Sequence, residues 1–167
     1  QHLTTLTGVG RAVAPEAAPR RVRAGRHVPA PKRSVVRTAI TLLLQQPALA
    51  LDVPEGARFT ALRQPGVELL AELMALVQRR PDIRTGALLD HFDDRPEADA
   101  LQKLAAITLP GDEAAWRVEF ADAIARLDQQ TMQQRVDELQ LKQREGALDA
   151  VDKAELRDLL QARMTAR

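Results

Sequence analysis

The stretch Ser34–Leu51, SVVRTAITLLLQQPALAL, decides the fold. Its apolar side chains repeat at three- and four-residue spacings, the pattern of one helix face, and Leu42 widens that face until little of the circumference is polar. Ser34 is a candidate cap for the free N–H groups of the first turn, and Pro47 disfavours the helical conformation for the residue before it. The pattern therefore predicts a helix over residues 34–46 in the middle of a helical bundle.

Composition excludes several classes of protein. Hydrophobic residues make up 45% of the 167 residues, enough for a core, but aromatic residues make up only 2%. A β-sandwich or an aromatic surface for stacking nucleic-acid bases is therefore not indicated. The absence of Cys excludes disulfides and thiolate metal sites and fits a reducing cytoplasm, and no apolar run approaches the roughly 20 residues of a membrane span. Because the chain begins at Gln1, without Met or a signal peptide, we expect it to be a piece of a longer protein.

The first 33 residues differ from the rest in charge and in pattern. They hold seven Lys or Arg and one Glu, a charge of +6, which leaves 17 basic and 22 acidic residues, or −5, from Ser34 onward. Gly and Pro recur through this segment without apolar periodicity, which predicts a flexible basic linker. Its Arg20–Arg26 run could make weak, non-specific contact with nucleic-acid phosphates.

Proline, glycine and apolar spacing predict further short helices after the first. Thr85 is a candidate N-cap, and Pro96 is a favourable first residue for a helix. The predicted segments cover about residues 47–51, 58–62, 66–80, 86–92 and 97–107.

The last third predicts one long helix whose apolar face changes direction. Residues 112–145 contain no Pro or Gly, so about 34 residues, or about 50 Å, can be helical. One apolar stripe ends at Leu127 and the next begins at Met132, about 500° later, so the second is rotated by about 140°. We expect the front stripe to pack on the bundle and the rear stripe on a returning helix, after a turn near Gly146. The front stripe is Trp116, Phe120, Ala123, Ile124 and Leu127; the rear stripe is Met132, Val136 and Leu139; the returning helix supplies Val151, Leu156, Leu159, Leu160 and Met164, with Asp149 or Asp152 as its cap.

The predicted fold class is all-α. A flexible basic tail, residues 1–33, precedes a small helical bundle, residues 34–127, and a helical hairpin, residues 128–167, projects from the bundle.

No constellation of residues predicts catalysis, a metal site or a cofactor. His91 lies in the acidic run Asp90–Asp94, but the other two histidines, His2 and His27, are in the tail. A half-buried histidine followed by charged loop residues is the favoured interpretation. The chain also lacks a glycine-rich phosphate loop and a nucleophile paired with a base.

Four motifs in order resemble the C-terminal, helicase-binding domain of bacterial replicative primases of the DnaG type. The resemblance runs from about Lys32 to the C-terminus and weakens after Leu109. The motifs are Arg37-x-Ala39-Ile40-x-Leu42-Leu43-Leu44-Gln45-Gln46-Pro47-x-Leu49-Ala50, Pro65-Gly66-x-x-Leu69-Leu70-x-Glu72-Leu73, Thr85-Gly86-x-Leu88-Leu89-x-His91-Phe92 and Leu101-x-Lys103-Leu104.

The resemblance implies a protein-interaction domain without enzymatic activity of its own, located at the replication fork in the bacterial cytoplasm. In that family the hairpin docks on the hexameric replicative helicase, and primer synthesis belongs to a preceding catalytic domain. Exposed apolar residues of the hairpin are the candidates for the helicase contact, although they could instead only hold the hairpin together. These candidates are Leu139, Leu141, Leu148, Leu156, Leu160 and Met164.

The resemblance also implies a second site, for the acidic C-terminal tail of single-stranded DNA-binding protein. In the family a basic rim surrounds an apolar pocket, and Arg or Lys side chains suit the carboxylates of such a tail. The matching positions are Lys32, Arg37, Ile40, Lys103 and Leu104, whereas Val35 and Val36 depart from the polar and longer side chains common there.

The sequence leaves two alternatives open. The N-terminal domain of the replicative helicase has a similar bundle and hairpin, but the tail-first layout and the Leu-x-Lys-Leu motif favour the primase. A basic-armed helical DNA-binding domain is the other, and the −5 charge of the body disfavours it because such a body repels a phosphate backbone.

Overall fold

The computed structural model describes residues 34–54 and 57–165, and every regular element in these ranges is helical. The all-α prediction is thereby confirmed. The predicted linker, residues 1–33, lies outside the described residues. In chain order the elements are α1 (Val35–Gln45), a first 3-10 turn (Pro47–Asp52), a second 3-10 turn (Arg58–Ala61), α2 (Val67–Arg79), α3 (Thr85–His91), α4 (Ala98–Ala105), α5 (Glu113–Arg144) and α6 (Ala150–Thr165).

Helix α1 lies at the centre of the bundle, as its sequence predicted. It contacts α2, α3, α4, α5 and the first 3-10 turn. Burying one Leu or Ile side chain stabilises a fold by about 1.5–3 kcal/mol, so a helix that is apolar on most of its surface is most stable with neighbours on several sides. Its buried residues are Val36, Ala39, Ile40, Thr41, Leu42, Leu43 and Leu44.

Two predicted helix caps are wrong. Ser34 precedes α1, but its side chain makes no capping hydrogen bond, and only its carbonyl accepts from Thr38 N, at 3.0 Å. Thr85 is the first residue of α3 rather than its cap, and its hydroxyl donates to the carbonyl of Leu44 at 2.6 Å. That carbonyl belongs to the last turn of α1, where helical backbone lacks internal partners. Thr85 therefore provides a hydrogen bond to the end of α1 instead of capping its own helix, α3.

Helix α5 is a single unbroken helix, and its apolar face changes direction as predicted. Asp112 caps its first turn by accepting from Ala115 N at 2.9 Å. In the front half, Phe120 and Leu127 belong to the large core that α1 centres, whereas Val136 in the rear half belongs to a second, smaller core. The two halves of one helix thus serve two separate hydrophobic clusters.

The rear half of α5, which belongs to the predicted hairpin, also contacts residues 61–63. Gln134 accepts from the backbone N–H of Arg63 at 2.8 Å and donates to the carbonyl of Ala61 at 3.3 Å. Arg63 also pairs with Glu138 at 3.4 Å. The segment after the second 3-10 turn therefore lies along α5. These contacts were not predictable because Gln134 looks, in sequence, like an ordinary solvated residue.

None of the helices in the described ranges combines the length and the apolar character that crossing a bilayer requires.

Candidate functional site

The turn between α5 and α6 is built around Gly146, as predicted. Gly146 has a φ of 71°, in the left-handed region that glycine adopts without a steric penalty. Its N–H donates to the carbonyl of Gln143, and the N–H of Ala147 donates to the carbonyl of Lys142 at 2.9 Å. These two bonds form the Schellman motif, which ends a helix and reverses the chain.

At the start of α6, only one of the two candidate caps, Asp149 and Asp152, acts as the cap. The carboxylate of Asp149 accepts from the N–H of Asp152 at 2.7 Å, so Asp149 is the cap. Asp152 instead turns toward α5, where it is 8% exposed and pairs with Lys142 at 3.1 Å.

The two helices of the hairpin meet along a short apolar seam. Leu139 is fully buried and Leu156 is 8% exposed, while Leu148 and Leu159 are partly buried against the same cluster. The expectation that Leu139 and Leu156 are exposed is therefore wrong, because they fill the space between α5 and α6. Leu148 is only partly available for the same reason.

A charged network borders this seam. Arg135 donates two hydrogen bonds to the carboxylate of Glu155, from Nε at 2.8 Å and from Nη2 at 2.7 Å. Arg135 also pairs with Glu138 at 3.4 Å and with Asp152 at 3.8 Å. The hydrogen bonds from Arg135 lower the pKa of the Glu155 carboxyl, and those bonds raise the pKa of Arg135. This network was not predictable from the sequence because its main pairs join different helices.

Three of the predicted helicase-binding residues are exposed. Leu141 is 55%, Leu160 is 38% and Met164 is 79% exposed. Leu160 and Met164 are four residues apart and form one ridge of α6, whereas Leu141 lies on α5, about 200° around that helix from the buried Leu139. The ridge and Leu141 therefore occupy different faces of the hairpin.

Val151, Leu160 and Met164 were expected to pack against α5, and this expectation is wrong because all three are exposed. Val151 is 75% exposed. It lies five residues before Leu156, about 140° from it around the helix, so both cannot face the same neighbour.

The predicted basic site is only partly assembled. Lys32 lies outside the described residues. Arg37 and Lys103 are exposed on α1 and α4, and these two helices are in contact. Ile40 and Leu104 are 4% and 8% exposed and belong to the large core, so they do not offer an open apolar surface to a ligand.

His91 is exposed rather than half-buried, and its ring meets Phe92 edge-on with 5.2 Å between the ring centroids. Within residues 34–54 and 57–165, no three His, Asp or Glu side chains are grouped so that they could hold a metal ion.

Comparison with known proteins gives a consistent result. Residues 36–159 match the family described as DNA primase DnaG DnaB-binding. The chain is 33% identical over 129 residues to the DNA primase of Pasteurella multocida and 31% identical over 131 residues to that of Escherichia coli K12. These matches cover 77% and 78% of this chain but only 22% of each primase, so the chain spans about a fifth of the length of these relatives.

The fold comparison agrees with the sequence comparison. The structure of the DnaG primase C-terminal domain from Vibrio cholerae superposes with a TM-score of 0.66 at 31% identity, covering 77% of this chain and 93% of that one. These matches are to primase rather than to the helicase, so the helicase alternative is set aside. The chain therefore belongs to the family of DNA primase DnaG DnaB-binding domains.

Proposed function

We propose that this chain binds the replicative helicase through the α5–α6 hairpin and thereby brings a primase to the replication fork. It is a binding domain without catalytic activity of its own, and primer synthesis belongs to another part of the primase. The observation that carries the proposal is the exposed Leu160–Met164 ridge on the hairpin of a chain whose family is named for binding DnaB.

The ridge suits a helical partner. Two apolar side chains four residues apart lie one above the other on a helix face, the spacing with which amphipathic helices dock in grooves. The buried seam and the Arg135–Glu155 pair hold α6 against α5, so the ridge is presented on a preformed surface. Preorganisation of this kind lowers the entropic cost of binding.

A double variant, Leu160→Ala/Met164→Ala, tests the proposal. We expect it to weaken binding to the helicase hexamer by about tenfold or more, because truncating apolar anchors of an interface costs more than about 1 kcal/mol each. Binding is measured by titrating the hexamer into labelled chain. An unchanged midpoint of thermal unfolding is the check that the variant is still folded.

Val118→Ala is the matched control. Val118 is 64% exposed on the front half of the same helix that carries Leu141, but outside the hairpin. Its loss should leave the affinity for the hexamer unchanged. Equal affinities for the double variant and the unmodified chain would reject the ridge as the contact.

A second function, binding the acidic tail of single-stranded DNA-binding protein, is favoured by the exposure of Arg37 and Lys103 on contacting helices. Guanidinium and ammonium groups are suitable hydrogen-bond donors for carboxylates. Titration of the tail peptide into Arg37→Ala/Lys103→Ala tests it, and an affinity equal to that of the unmodified chain argues against it.

A further inference from the structure

A second cationic surface lies on the bundle and shares no residue with the Arg37–Lys103 site or with the hairpin. It is a pocket of about 390 Å³ between the C-terminal part of α2 with Arg80, which follows it, and the end of α3 with the residues that follow it. Its volume is near the lower end of the roughly 300–1,000 Å³ usual for ligand pockets. The lining residues are Glu72, Leu76, Arg79, Arg80, His91, Phe92 and Arg95.

Of the three arginines that line this pocket, only Arg95 forms an ion pair with another described residue. Arg95 is paired with Glu72, the one carboxylate of the lining, at 2.6 Å, and its guanidinium lies 5.1 Å from the centroid of the Phe92 ring. Arg79 uses only Nε, in a hydrogen bond to the carbonyl of Ala75 at 3.1 Å. Within the described part of the chain, neither Arg79 nor Arg80 forms an ion pair.

Two guanidinium groups in one concave site, neither with an ion-pair partner among the described residues, contrast with the −5 charge of the body. Asp90, Asp93 and Asp94 are close in sequence, but they do not line the pocket. The neighbouring acids therefore leave Arg80 and the Nη groups of Arg79 available to an outside anion. Guanidinium groups bind planar carboxylates with two parallel hydrogen bonds, which gives such a site geometric specificity.

We propose that this pocket binds an acidic peptide segment, with Arg79 and Arg80 receiving its carboxylates. Of the other lining residues, Leu76 and Phe92 are buried, and Arg95 is held by Glu72. The proposal does not depend on the hairpin, since none of its residues lies on α5 or α6.

Nucleic acid fits this pocket less well. Binding a single strand usually combines a cationic groove along the backbone with exposed aromatic rings on which bases stack. Here the site is one small pocket, and the Phe92 ring is 1% exposed, so it offers no stacking surface.

The test uses the full chain and a labelled short peptide in which Asp alternates with Leu, followed by fluorescence anisotropy. We expect Arg79→Ala/Arg80→Ala to weaken binding by about tenfold or more, because each lost charge-assisted hydrogen bond costs more than a neutral one. Arg144→Ala/Arg157→Ala is the matched control, since it removes the same charge from exposed arginines elsewhere and should change the affinity by less than about twofold. The same peptide with Asn in place of Asp should not bind.

Four outcomes would overturn the proposal. The first is that the unmodified chain does not bind the peptide, and the second is that both arginine doubles weaken binding equally, which would indicate general surface charge. The third is loss of binding in Arg37→Ala/Lys103→Ala but not in Arg79→Ala/Arg80→Ala, which would place the peptide on α1 and α4. The fourth is tighter binding of a single-stranded oligonucleotide that Arg79→Ala/Arg80→Ala abolishes.

Discussion

The bidentate pair between Arg135 and Glu155 joins the two helices of the hairpin and has a defined dependence on pH. The hydrogen bonds from Arg135 lower the pKa of Glu155. The folded pKa is thus below the unfolded value of about 4.3, so the stabilisation is present above that pH and is lost as pH falls through the folded pKa. Because both side chains are more than a third exposed, solvent screening limits its size to about 1 kcal/mol or less.

Glu155→Gln should therefore lower the midpoint of thermal unfolding at neutral pH, and this difference from the unmodified chain should shrink near pH ~3. Circular dichroism melts at both pH values provide the measurement. Asp158→Asn is the control, because Asp158 is exposed on the same helix and forms no ion pair within the described residues. A difference for Glu155→Gln that is as large in acid as at neutral pH would show that the carboxylate pair is not its cause.

Single side chains were the hardest feature to predict from sequence. Leu139 and Leu141 are the same residue type two positions apart, yet one is fully buried and the other 55% exposed. The 3.6-residue helical period explains this difference once the position of α6 is known. The sequence alone does not show which side of α5 is covered by α6. The partners of Gln134, Arg135 and Thr85 are equally invisible because each lies on another element.

The helices themselves were largely predictable. Prolines 47, 65 and 81 lie at or next to helix boundaries, and the long interval without Pro or Gly forms one helix, α5. These helix boundaries were predictable because Pro and Gly restrict the backbone locally, whatever the tertiary contacts are. The change in direction of the apolar face along α5 was also predictable from the sequence, because a rotated apolar stripe must pack against a second neighbour.

The turn between α5 and α6 depends on the left-handed conformation of Gly146. A Cβ at this position meets no atom within 4 Å, so the effect of Gly146→Ala is purely conformational. We expect this variant to destabilise the chain by about 1 kcal/mol, as is usual for placing an L side chain in that region. The measurement is urea unfolding followed by circular dichroism.

Gly86→Ala is the opposite case and serves as the control. Gly86 lies within α3, and a Cβ there also meets nothing within 4 Å. Because Ala is a better helix former than Gly, this variant should stabilise by up to about 1 kcal/mol. Destabilisation of equal size by both variants would contradict the assignment of a special role to the turn.

The buried apolar side chains of the described residues form two clusters, and we propose that this division separates the roles of the two parts. The large cluster ends at Leu127, and the small one contains Val136, Leu139 and Leu156. The only described polar links between the rear half of α5 and the bundle are those of Gln134 and Glu138 with residues 61–63. The bundle should therefore fold without α6, while the contact with the helicase should require it.

Co-elution with the replicative helicase hexamer on a sizing column tests this division most directly. The full chain should co-elute with the hexamer, whereas a chain that ends at Glu145 should not, although its bundle still unfolds cooperatively. Co-elution of the shortened chain to the same extent as the full chain, or no co-elution of the full chain, would contradict the proposal that the hairpin binds the helicase.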